Sequence, residues 1–452
     1  MTTNYRTGAD TIFALASGAL PAGLAVIRVS GPAAGPAITG LTGGPLPQPR
    51  RATLAVLGSL ECMLDRGLVI WFPGPQSFTG EDVAEFHIHG GRAVAAAVLT
   101  ALAGIDGLRP AAAGEFTRRA LANGKMDLTA AEGLADLVAA ETEAQRIQAL
   151  RQAAGALGQI YDRWRDGLTW AMARLEAAID FSGEDLPPDL INTAAAKARA
   201  IADEMDAHLA DARRGERLRD GLRAAIIGAP NVGKSSLFNM LVQRDAAIVS
   251  GTAGTTRDVI EAHLDLGGYP VLLADTAGLD RAEGDVEAEG MRRALARAAG
   301  ADLKIAVFDA TLWPETDAAT VRIVDEDTLV VLNKCDLALP PSDAMVGGTR
   351  AIAVSAKTGE GVDNLLKIIT KKAAIICGLV ESPALTRARH RAALEESRAA
   401  LGRFFEAANE GKGPEIAAEE LRLAQRALGR ITGRVDVEDL LDVIFSDFCI
   451  GK

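Results

Sequence analysis

Cysteines, aromatic side chains and long apolar segments are all scarce in this chain of 452 residues. Its four cysteines, Cys62, Cys335, Cys377 and Cys449, are far apart and form no C-x-x-C pair, so neither a disulfide framework nor a zinc site is indicated. No apolar run is long enough to cross a bilayer, and the first residues lack the apolar core of a signal peptide. We therefore expect a protein of the reducing cytoplasm that has no membrane segment.

Aromatic residues make up 4% of the chain, although hydrophobic residues make up 48%. The core must therefore rest on alanine and aliphatic side chains, which favours Ala-rich helix packing in part of the chain. An excess of positive charge is also lacking, because 48 basic and 60 acidic side chains give a net charge of −12. This balance argues against a protein that grips nucleic acid over its whole surface, although a local basic patch is compatible with it.

The length exceeds what one core usually supports, so we expect two to four domains. The first segment alternates strands, predicted at 24–29, 67–72 and 83–89, with a helix predicted at 92–102. Helical patterns follow, then a second strand–helix alternation, then further helices. We predict an N-terminal α+β domain and an α/β domain inserted into an all-α domain, whose two parts form one bundle. The predicted boundaries are 1–118, 119–215, 216–376 and 377–452.

A phosphate-binding loop marks the start of the α/β domain. Gly228–Ser235 fits the pattern G-x-x-x-x-G-K-[ST], between a predicted strand at 222–227 and a predicted helix that begins near Ser236. In this order, backbone N–H groups wrap a pyrophosphate, Lys234 reaches the outer phosphates and the Ser235 hydroxyl binds Mg²⁺. The pattern therefore predicts a nucleotide site.

Four downstream motifs narrow the choice of nucleotide. Asp275–Gly278 has the form D-x-x-G, in which the carboxylate holds Mg²⁺ through water and the glycine amide senses a γ-phosphate. The segment Gly254–Asp258, between this motif and the loop, supplies a threonine that can complete the coordination of Mg²⁺. Asn333–Asp336 has the form N-K-x-D, whose carboxylate accepts two guanine N–H groups that adenine lacks, and Ser355–Lys357 offers a backbone amide to the guanine oxygen. These motifs, most of them at predicted strand ends, predict GTP.

The position after the D-x-x-G motif is Leu279, where Ras-type GTPases place a glutamine that orients the attacking water. Another group must position that water. The acidic stretch 280–289 is the obvious source. Its candidate carboxylates are Glu283, Asp285, Glu287 and Glu289.

Charged residues also interrupt two apolar strands of the N-terminal segment. Arg28 and Glu85 are costly to bury alone, so they either pair with each other or face a polar ligand. His87 and His89 lie on one face of their strand, where a core or hydrogen-bonding role is the expected one and a metal site the alternative.

With these residues assembled, the whole chain resembles the MnmE (TrmE) family of tRNA-modification GTPases. The resemblance extends to the last four residues, Cys449-Ile450-Gly451-Lys452. Further matching segments are Asp10–Ile12, Val26–Gly31, Phe72–Pro75, Phe78–Val83, Gly114–Ala120 and Asn123–Leu128. Departures from the family pattern fall at 17–23, at His87 and at Ala113, where they bear on the conformation of the folate-binding region.

The resemblance implies a tetrahydrofolate-binding N-terminal domain that mediates homodimerisation. Its folate contacts would be Arg28, Glu85, Lys125 and Lys452, with 5,10-methylene-tetrahydrofolate as the one-carbon donor. Cys449 would lie at the modification site as a catalytic residue. The partner implied is the flavoprotein MnmG, in a heterotetramer-type complex that adds a (carboxymethyl)aminomethyl group at C5 of the wobble uridine of certain tRNAs.

For the nucleotide domain, the resemblance implies potassium-dependent hydrolysis. The potassium ligands would be Asn231, Ser250, Thr252 and Thr255, Mg²⁺ would be held by Ser235 and Thr256, and Glu287 would orient the attacking water. The GTP-binding residues expected from motifs and resemblance together are Asn231, Val232, Gly233, Lys234, Ser235, Ser236, Ser250, Thr252, Thr255, Thr256, Asp275, Thr276, Ala277, Gly278, Asn333, Lys334, Asp336, Ser355, Ala356 and Lys357.

Two other functions share parts of this pattern. A GTP switch that assists ribosome assembly without covalent RNA modification would carry an appended basic RNA-binding module, which this acidic chain does not obviously contain. A folate-dependent aminomethyltransferase with a regulatory GTPase would transfer a one-carbon unit without a flavoprotein.

Overall fold

The computed structural model describes residues 10–59, 61–180, 190–211, 213–244, 260–275, 300–378, 383–410, 413–435, 438–446, 448 and 451. The chain divides into two compact units. One comprises Met1–Ala135, Ala153–Arg165 and Leu428–Lys452, and the other comprises Asp136–Gln152 and Asp166–Ala427.

The first unit is built on a six-stranded sheet. Its strands are β1 (Thr11–Leu15), β2 (Leu24–Ser30), β3 (Thr53–Gly58), β4 (Met63–Phe72), β5 (Val83–His89) and β6 (Leu108–Pro110). Their spatial order is β3-β4-β5-β2-β1-β6, and the pairs are antiparallel except for β1 with β6. The predicted strands at 24–29, 67–72 and 83–89 are confirmed within β2, β4 and β5.

Helices α1 (Ala34–Thr42) and α2 (Arg92–Ala103) contribute to a core on one face of this sheet. Alternate residues of β2 and β5 point into that core, because successive side chains of a strand face opposite sides. Ile27 and Phe86 are fully buried there, whereas Arg28 and Glu85 lie on the other face. The predicted helix at 92–102 is confirmed as α2.

The remaining helices follow in chain order. They are α3 (Glu115–Ala122), α4 (Leu128–Ala139), α5 (Glu143–Ala153), α6 (Ala156–Asp180), α7 (Leu190–Leu209), α8 (Arg214–Asp220), α9 (Lys234–Arg244), α10 (Ala318–Val321), α11 (Val362–Ile376), α12 (Ala388–Glu410), α13 (Pro414–Thr432) and α14 (Glu438–Ser446). No helix among the described residues is long and apolar enough to cross a membrane.

Helices from before and after the second sheet pack on each other in the second unit. α7 and α12 are neighbours, and both bury alanines at helical spacing, among them Ala198 and Ala400. Arg398 of α12 also forms a bidentate ion pair with Asp206 of α7, with both N···O distances 2.8 Å. Ala-rich helix packing, expected from the scarcity of aromatic residues, is therefore confirmed here.

The second sheet has seven strands in the order β12-β13-β11-β10-β7-β9-β8. They are β7 (Leu222–Ile227), β8 (Ile260–Leu266), β9 (Tyr269–Asp275), β10 (Leu303–Asp309), β11 (Thr328–Asn333), β12 (Met345–Val346) and β13 (Thr349–Ala353). All neighbouring pairs are parallel except those of the edge strands β8 and β12. Apolar side chains of the central strands are buried on both faces, as a parallel sheet requires.

Helix α5 is joined to this sheet at the turn between β8 and β9. The Ala144 amide, at the N-terminus of α5, donates a hydrogen bond of 3.0 Å to the Gly268 carbonyl oxygen in that turn. The Ala144 side chain is buried in the core of the sheet. Glu141, just before α5, pairs with His263 of β8 at 3.1 Å. Helix α5 therefore shares a core with the seven-stranded sheet.

Candidate nucleotide site and charged N-terminal face

The phosphate-binding loop joins β7 to α9 at the carboxyl edge of the sheet. The chain passes from β7 to β9 on one side and then to β10 on the other, so the loop lies where the strand order reverses. Ligands of open α/β sheets bind at such switch points. The sequence prediction of a strand, a loop and a helix in this order is confirmed.

Two glycines allow the tight path of this loop. Gly228 has φ +154°, and a Cβ there would lie 2.3 Å from the Val307 carbonyl oxygen. Gly233 has φ +94°, and a Cβ there would lie 2.2 Å from Nδ2 of Asn333. Asn231, between them, adopts the left-handed region with φ +62°, which asparagine tolerates better than most residues. Its side chain is exposed, as are those of Ser235 and Ser236.

Lys234 turns back over the loop. The side chain is 7% exposed, and Nζ donates to the carbonyl oxygens of Gly228 and Ala229, both at 3.0 Å. The ammonium group is thus held above the concave backbone where phosphates would lie. This position suits the predicted contact with the outer phosphates.

Asn333 connects the phosphate-binding loop to the loop at Ser355–Lys357, which we call the base-recognition loop. It ends β11, is 2% exposed, and donates through Nδ2 to the Val232 carbonyl oxygen at 2.8 Å. Its Oδ1 accepts from the Ala356 amide at 2.9 Å. One buried amide therefore uses both of its ends to hold two loops that are more than one hundred residues apart in sequence.

The base-recognition loop is itself closed by Ser355. Its buried hydroxyl accepts from the Lys357 and Thr358 amides at 3.3 and 3.1 Å. Asp336 lies in the turn that follows β11, closed by a 2.9 Å hydrogen bond from the Leu337 amide to the Lys334 carbonyl oxygen. The Asp336 side chain is exposed. The structure thus brings the N-K-x-D and Ser-Ala-Lys motifs together at one edge of the sheet.

Asp309, at the end of β10, was missed by the sequence analysis. Its Oδ2 accepts from Nζ of Lys334 at 2.6 Å, and its Oδ1 accepts from the Thr311 amide and hydroxyl at 2.9 and 2.7 Å. Although burial raises it, the pKa of Asp309 is held below its usual value by the Lys334 and Thr311 hydrogen bonds. A single aspartate after a strand fits no motif. Its position at the end of a strand was therefore the only sequence feature that could have indicated a role in the site.

Several predicted site residues lie outside the described part of the chain. They are Ser250, Thr252, Thr255, Thr256, Thr276, Ala277, Gly278, Glu287, Cys449 and Lys452. For Asp275 the backbone is described: it ends β9 and pairs with Ile226 of β7, directly before the phosphate-binding loop.

Arg28 and Glu85 face each other across β2 and β5 in the first unit. Nη2 of Arg28 lies 2.9 Å from Oε1 of Glu85, and Oε2 of Glu85 lies 3.2 Å from Nε2 of His87. The Arg28 guanidinium also lies over the ring of Phe78, 5.2 Å from its centroid. The alternative that the two charged residues pair with each other is therefore confirmed, and the pair lies mostly buried beside Phe78 and Phe116.

Both histidines of β5 take the expected hydrogen-bonding role, each beside a carboxylate. His89 Nδ1 lies 2.8 Å from Oδ1 of Asp65, and His87 contacts Glu85. Within the described ranges, no group of three or more His, Cys, Asp or Glu side chains is arranged to hold a metal ion.

Lys125 and Gly451 both lie against loops or strands of this unit. Lys125 is exposed, and Nζ donates to the Pro75 carbonyl oxygen at 2.9 Å. Gly451 is buried with φ +99°, and a Cβ there would lie 2.2 Å from the carbonyl oxygen of Leu15, at the end of β1. Since Ala14 pairs with Arg28, Gly451 lies one strand away from the Arg28–Glu85 pair.

A buried network of ion pairs centred on Arg119 and Glu115 lies in the same unit. Arg119 is 4% exposed and contacts Glu81, Glu115 and Asp10 at 3.1, 3.2 and 2.9 Å. Arg109 forms a second ion pair with Glu115 at 2.6 Å. Burial raises the pKa of Glu115, but the Arg109 hydrogen bond and charge outweigh it and hold that pKa below its usual value. These arginines were not singled out from the sequence.

The sequence is similar to known families and proteins over nearly its whole length. Residues 128–449 match the family "MnmE helical domain", and residues 11–125 match "GTP-binding protein TrmE N-terminus". The chain is 57% identical over 445 residues to "tRNA modification GTPase MnmE" of Paramagnetospirillum magneticum, covering 98% of this chain and 100% of that protein.

Two further relatives extend the comparison. A protein of the same name from Rhodospirillum rubrum is 54% identical over 457 residues, covering 98% of this chain and 99% of the relative. The "5-taurinomethyluridine-[tRNA] synthase subunit GTPB3, mitochondrial" of Danio rerio is 48% identical over 471 residues, covering 98% of this chain and 94% of the relative.

Proposed function

The chain belongs to the MnmE family of tRNA modification GTPases, and we propose that it hydrolyses GTP with potassium activation while working with the flavoprotein MnmG on tRNA. The product is a (carboxymethyl)aminomethyl group at C5 of the wobble uridine, with its methylene carbon taken from methylene-tetrahydrofolate. GTP hydrolysis in tRNA modification is the family's activity; the potassium, the folate carbon and the flavoprotein are the proposed refinements.

The observation that carries the proposal is the double hydrogen bond of Asn333. It fixes the distance between the phosphate-binding loop and the base-recognition loop, so one nucleotide can span both. Lys234 would contact the outer phosphates, Asp336 would accept the guanine N–H groups, and the Ala356 region would face the guanine oxygen. Ser235 and Thr256 would hold Mg²⁺, which neutralises charge that develops during phosphoryl transfer.

Potassium activation rests on Asn231 and Leu279. Asn231 presents an exposed amide from a left-handed backbone position in the phosphate-binding loop, and Leu279 supplies no water-orienting amide. We assign the potassium ion to Asn231, Ser250, Thr252 and Thr255, where it would stabilise transition-state charge. Glu287 is then the proposed water-orienting residue. Hydrolysis should be much faster in K⁺ than in Na⁺ at equal ionic strength, and equal rates would remove this assignment.

The folate site is proposed on the face of the N-terminal sheet that carries Arg28 and Glu85. Arg28, Glu85 and Lys125 lie on or beside that face, and Gly451 is packed against the end of the neighbouring β1. Glu85 would bind the amino-pyrimidine edge with its paired Arg28 beside it, and Lys125 would meet the carboxylates of the folate tail. Lys452 and the catalytic Cys449 complete the proposed site, which supplies a one-carbon unit.

The domain division follows from the same assignment. We propose a folate-binding and dimerisation domain at 1–118, helical segments at 119–215 and 377–452, and an inserted GTPase domain at 216–376. The packing of α7 on α12 supports a helical domain made of two sequence segments. The working assembly is a homodimer bound to MnmG.

Mass spectrometry of tRNA nucleosides tests the function as a whole. Cells that lack this chain should lose the aminomethyl-type group at the wobble uridine, and the wild-type chain should restore it. The Asp336→Asn variant should fail to restore it at cellular GTP concentrations. An unchanged wobble uridine would refute the proposal, and a defect confined to ribosome assembly would favour the GTP-switch alternative.

A further inference from the structure

The contact between Asp309 and Lys334 has no place in the functions assigned so far. Asp309 ends β10 and Asn333 ends β11, and the two residues are Cα partners in the parallel pair. Lys334 follows Asn333 with a left-handed φ of +67°, and its side chain crosses back to the end of β10. Because β10 lies between β11 and β7, the lysine stem runs along the sheet edge between the base-recognition loop and the strand that leads into the phosphate-binding loop.

Both oxygens of the Asp309 carboxylate are engaged. Oδ1 accepts two hydrogen bonds from Thr311, which fix the orientation of the carboxylate, and Oδ2 accepts from the Lys334 ammonium. The Asp309 side chain is 12% exposed and that of Lys334 is 32% exposed. A charge-assisted hydrogen bond of this kind restrains a flexible lysine far more than solvent would.

The same lysine also begins the turn that carries Asp336. Its carbonyl oxygen accepts from the Leu337 amide at 2.9 Å, and Cys335 in the turn donates its amide to the Val354 carbonyl oxygen at 3.1 Å. The Lys334 backbone is therefore fixed by the turn, and its side chain is fixed by Asp309. Lysine stems commonly cover apolar surfaces while their charge stays in a polar environment.

We infer that Asp309 is a positioning residue for guanine nucleotides. Asp309 tethers the Lys334 ammonium, so that the apolar stem of the lysine packs against the purine ring. The inference rests on the proposed guanine site. Asp309 then contributes to nucleotide affinity but takes no part in the chemical step. The choice between guanine and other bases belongs to Asp336.

The other end of the same two strands supplies a matched control. Asp325 pairs with Lys304 and accepts from the Thr328 hydroxyl at 2.7 Å, so it repeats the Asp–Lys–Thr arrangement. Lys304 and Thr328 are Cα partners at the amino edge of β10 and β11, away from the nucleotide loops. Asp325→Ala removes a similar ion pair from the same strands without reaching the site.

The test measures binding of a fluorescent GDP analogue and GTP hydrolysis by the full chain. Asp309→Ala should raise the Kd for GDP and the KM for GTP about five- to twentyfold, since a hydrogen bond between charged groups is lost, with kcat within about twofold. Asp309→Asn should show a smaller loss because its amide oxygen still accepts. Asp325→Ala should keep the wild-type Kd and KM, even where both alanine variants lower the Tm.

A double-mutant cycle with Lys334→Met decides whether Asp309 acts through the lysine. Asp309→Ala should add no further loss of GDP affinity to Lys334→Met, because the tethered ammonium is already gone. An additive loss, or a wild-type Kd in Asp309→Ala, would overturn the inference while leaving the guanine site intact. If the wild-type chain binds adenine and guanine nucleotides equally, the proposed site fails and the inference falls with it.

Discussion

The two sheets of this chain carry their charged residues in different places. In the second sheet, Asp309 and Asn333 stand at the carboxyl ends of parallel strands whose faces are buried on both sides. In the first sheet, Arg28 and Glu85 stand in the middle of antiparallel strands and pair across one face. The second sheet carries apolar clusters on both faces, so its charged residues lie at the strand ends.

This difference decides what each site depends on. In the loop site each motif is local in sequence, because its glycines and polar residues directly follow a strand, and the pairing of the strands brings the motifs together. A face site depends on register, since a shift of one residue would move Arg28 into the apolar core. Substitutions at the edge of the second sheet should therefore leave folate binding unchanged, and substitutions on the first face should leave nucleotide binding unchanged.

The largest expected effect is that of Asp336→Asn on guanine recognition. Losing two charge-assisted hydrogen bonds should weaken GDP binding by about 10²-fold or more, and xanthine nucleotides should gain on guanine nucleotides. The side chain is exposed, so the Tm of the free protein should stay near that of the wild type. Titration with guanine and xanthine nucleotides measures the preference, and an unchanged preference for guanine would contradict the assignment of Asp336 to base recognition.

Gly233→Ala should destabilise the nucleotide domain by about 2–4 kcal/mol, because its Cβ overlaps Nδ2 of Asn333 and its backbone has positive φ. Nucleotide binding should be lost as well. Gly402→Ala in α12 is the matched control, since its nearest neighbour is a flexible arginine 3.9 Å away and alanine favours helix. Urea unfolding followed by circular dichroism should show opposite signs for the two variants. Equal behaviour would refute the packing argument.

Glu85→Ala tests the face site. Removing this carboxylate leaves the partly buried Arg28 without its partner, so the free energy of unfolding of the first unit should fall by about 1–3 kcal/mol. Folate binding, measured by calorimetry, should be lost. GTP hydrolysis in the absence of tRNA should keep its wild-type kcat and KM, and a reduced kcat would show that the two sites are not independent.

The smallest expected effect concerns acid stability of the first unit. The pKa of Glu115 is lowered by folding, so its ionised form contributes stability that is fully present above the ordinary glutamate pKa and is lost as pH falls through the lowered value. Glu115→Gln should therefore remove on the order of 1 kcal/mol at neutral pH and flatten the stability curve below about pH 4.5. Unfolding by urea across that pH range measures it. A curve parallel to the wild type would contradict the role of the Arg109 pair.

The local motifs predicted much of the nucleotide domain from the sequence. The strand, loop and helix around Gly228–Ser235 follow from residues that are adjacent in the chain. The tie between Asp309 and Lys334 could not be predicted, because the two residues are 25 positions apart and meet only when β10 and β11 pair. The bridging role of Asn333 was hidden for the same reason.

On the N-terminal face, the sequence left two readings of Arg28 and Glu85. Their hydrophobic strands were evident, and so was the cost of burying either charge alone. To decide that Arg28 and Glu85 pair with each other, one must know the register between β2 and β5. No local sequence pattern contains that register. The arginine network around Glu115 was missed because its members come from strand, loop and helix segments that only the tertiary fold unites.

The hydrogen bond from Ala144 to Gly268 limits how the protein can be divided. A fragment excised at 216 and 376 would lose the Ala144 methyl group from its core and the amide that occupies its β8–β9 turn. In the remaining helices, the Ala144 amide at the start of α5 would lose its acceptor. A minimal GTP-binding fragment should therefore retain 136–152, joined through a linker, so the proposed domain boundaries at 216 and 376 and those of a self-sufficient fragment do not coincide.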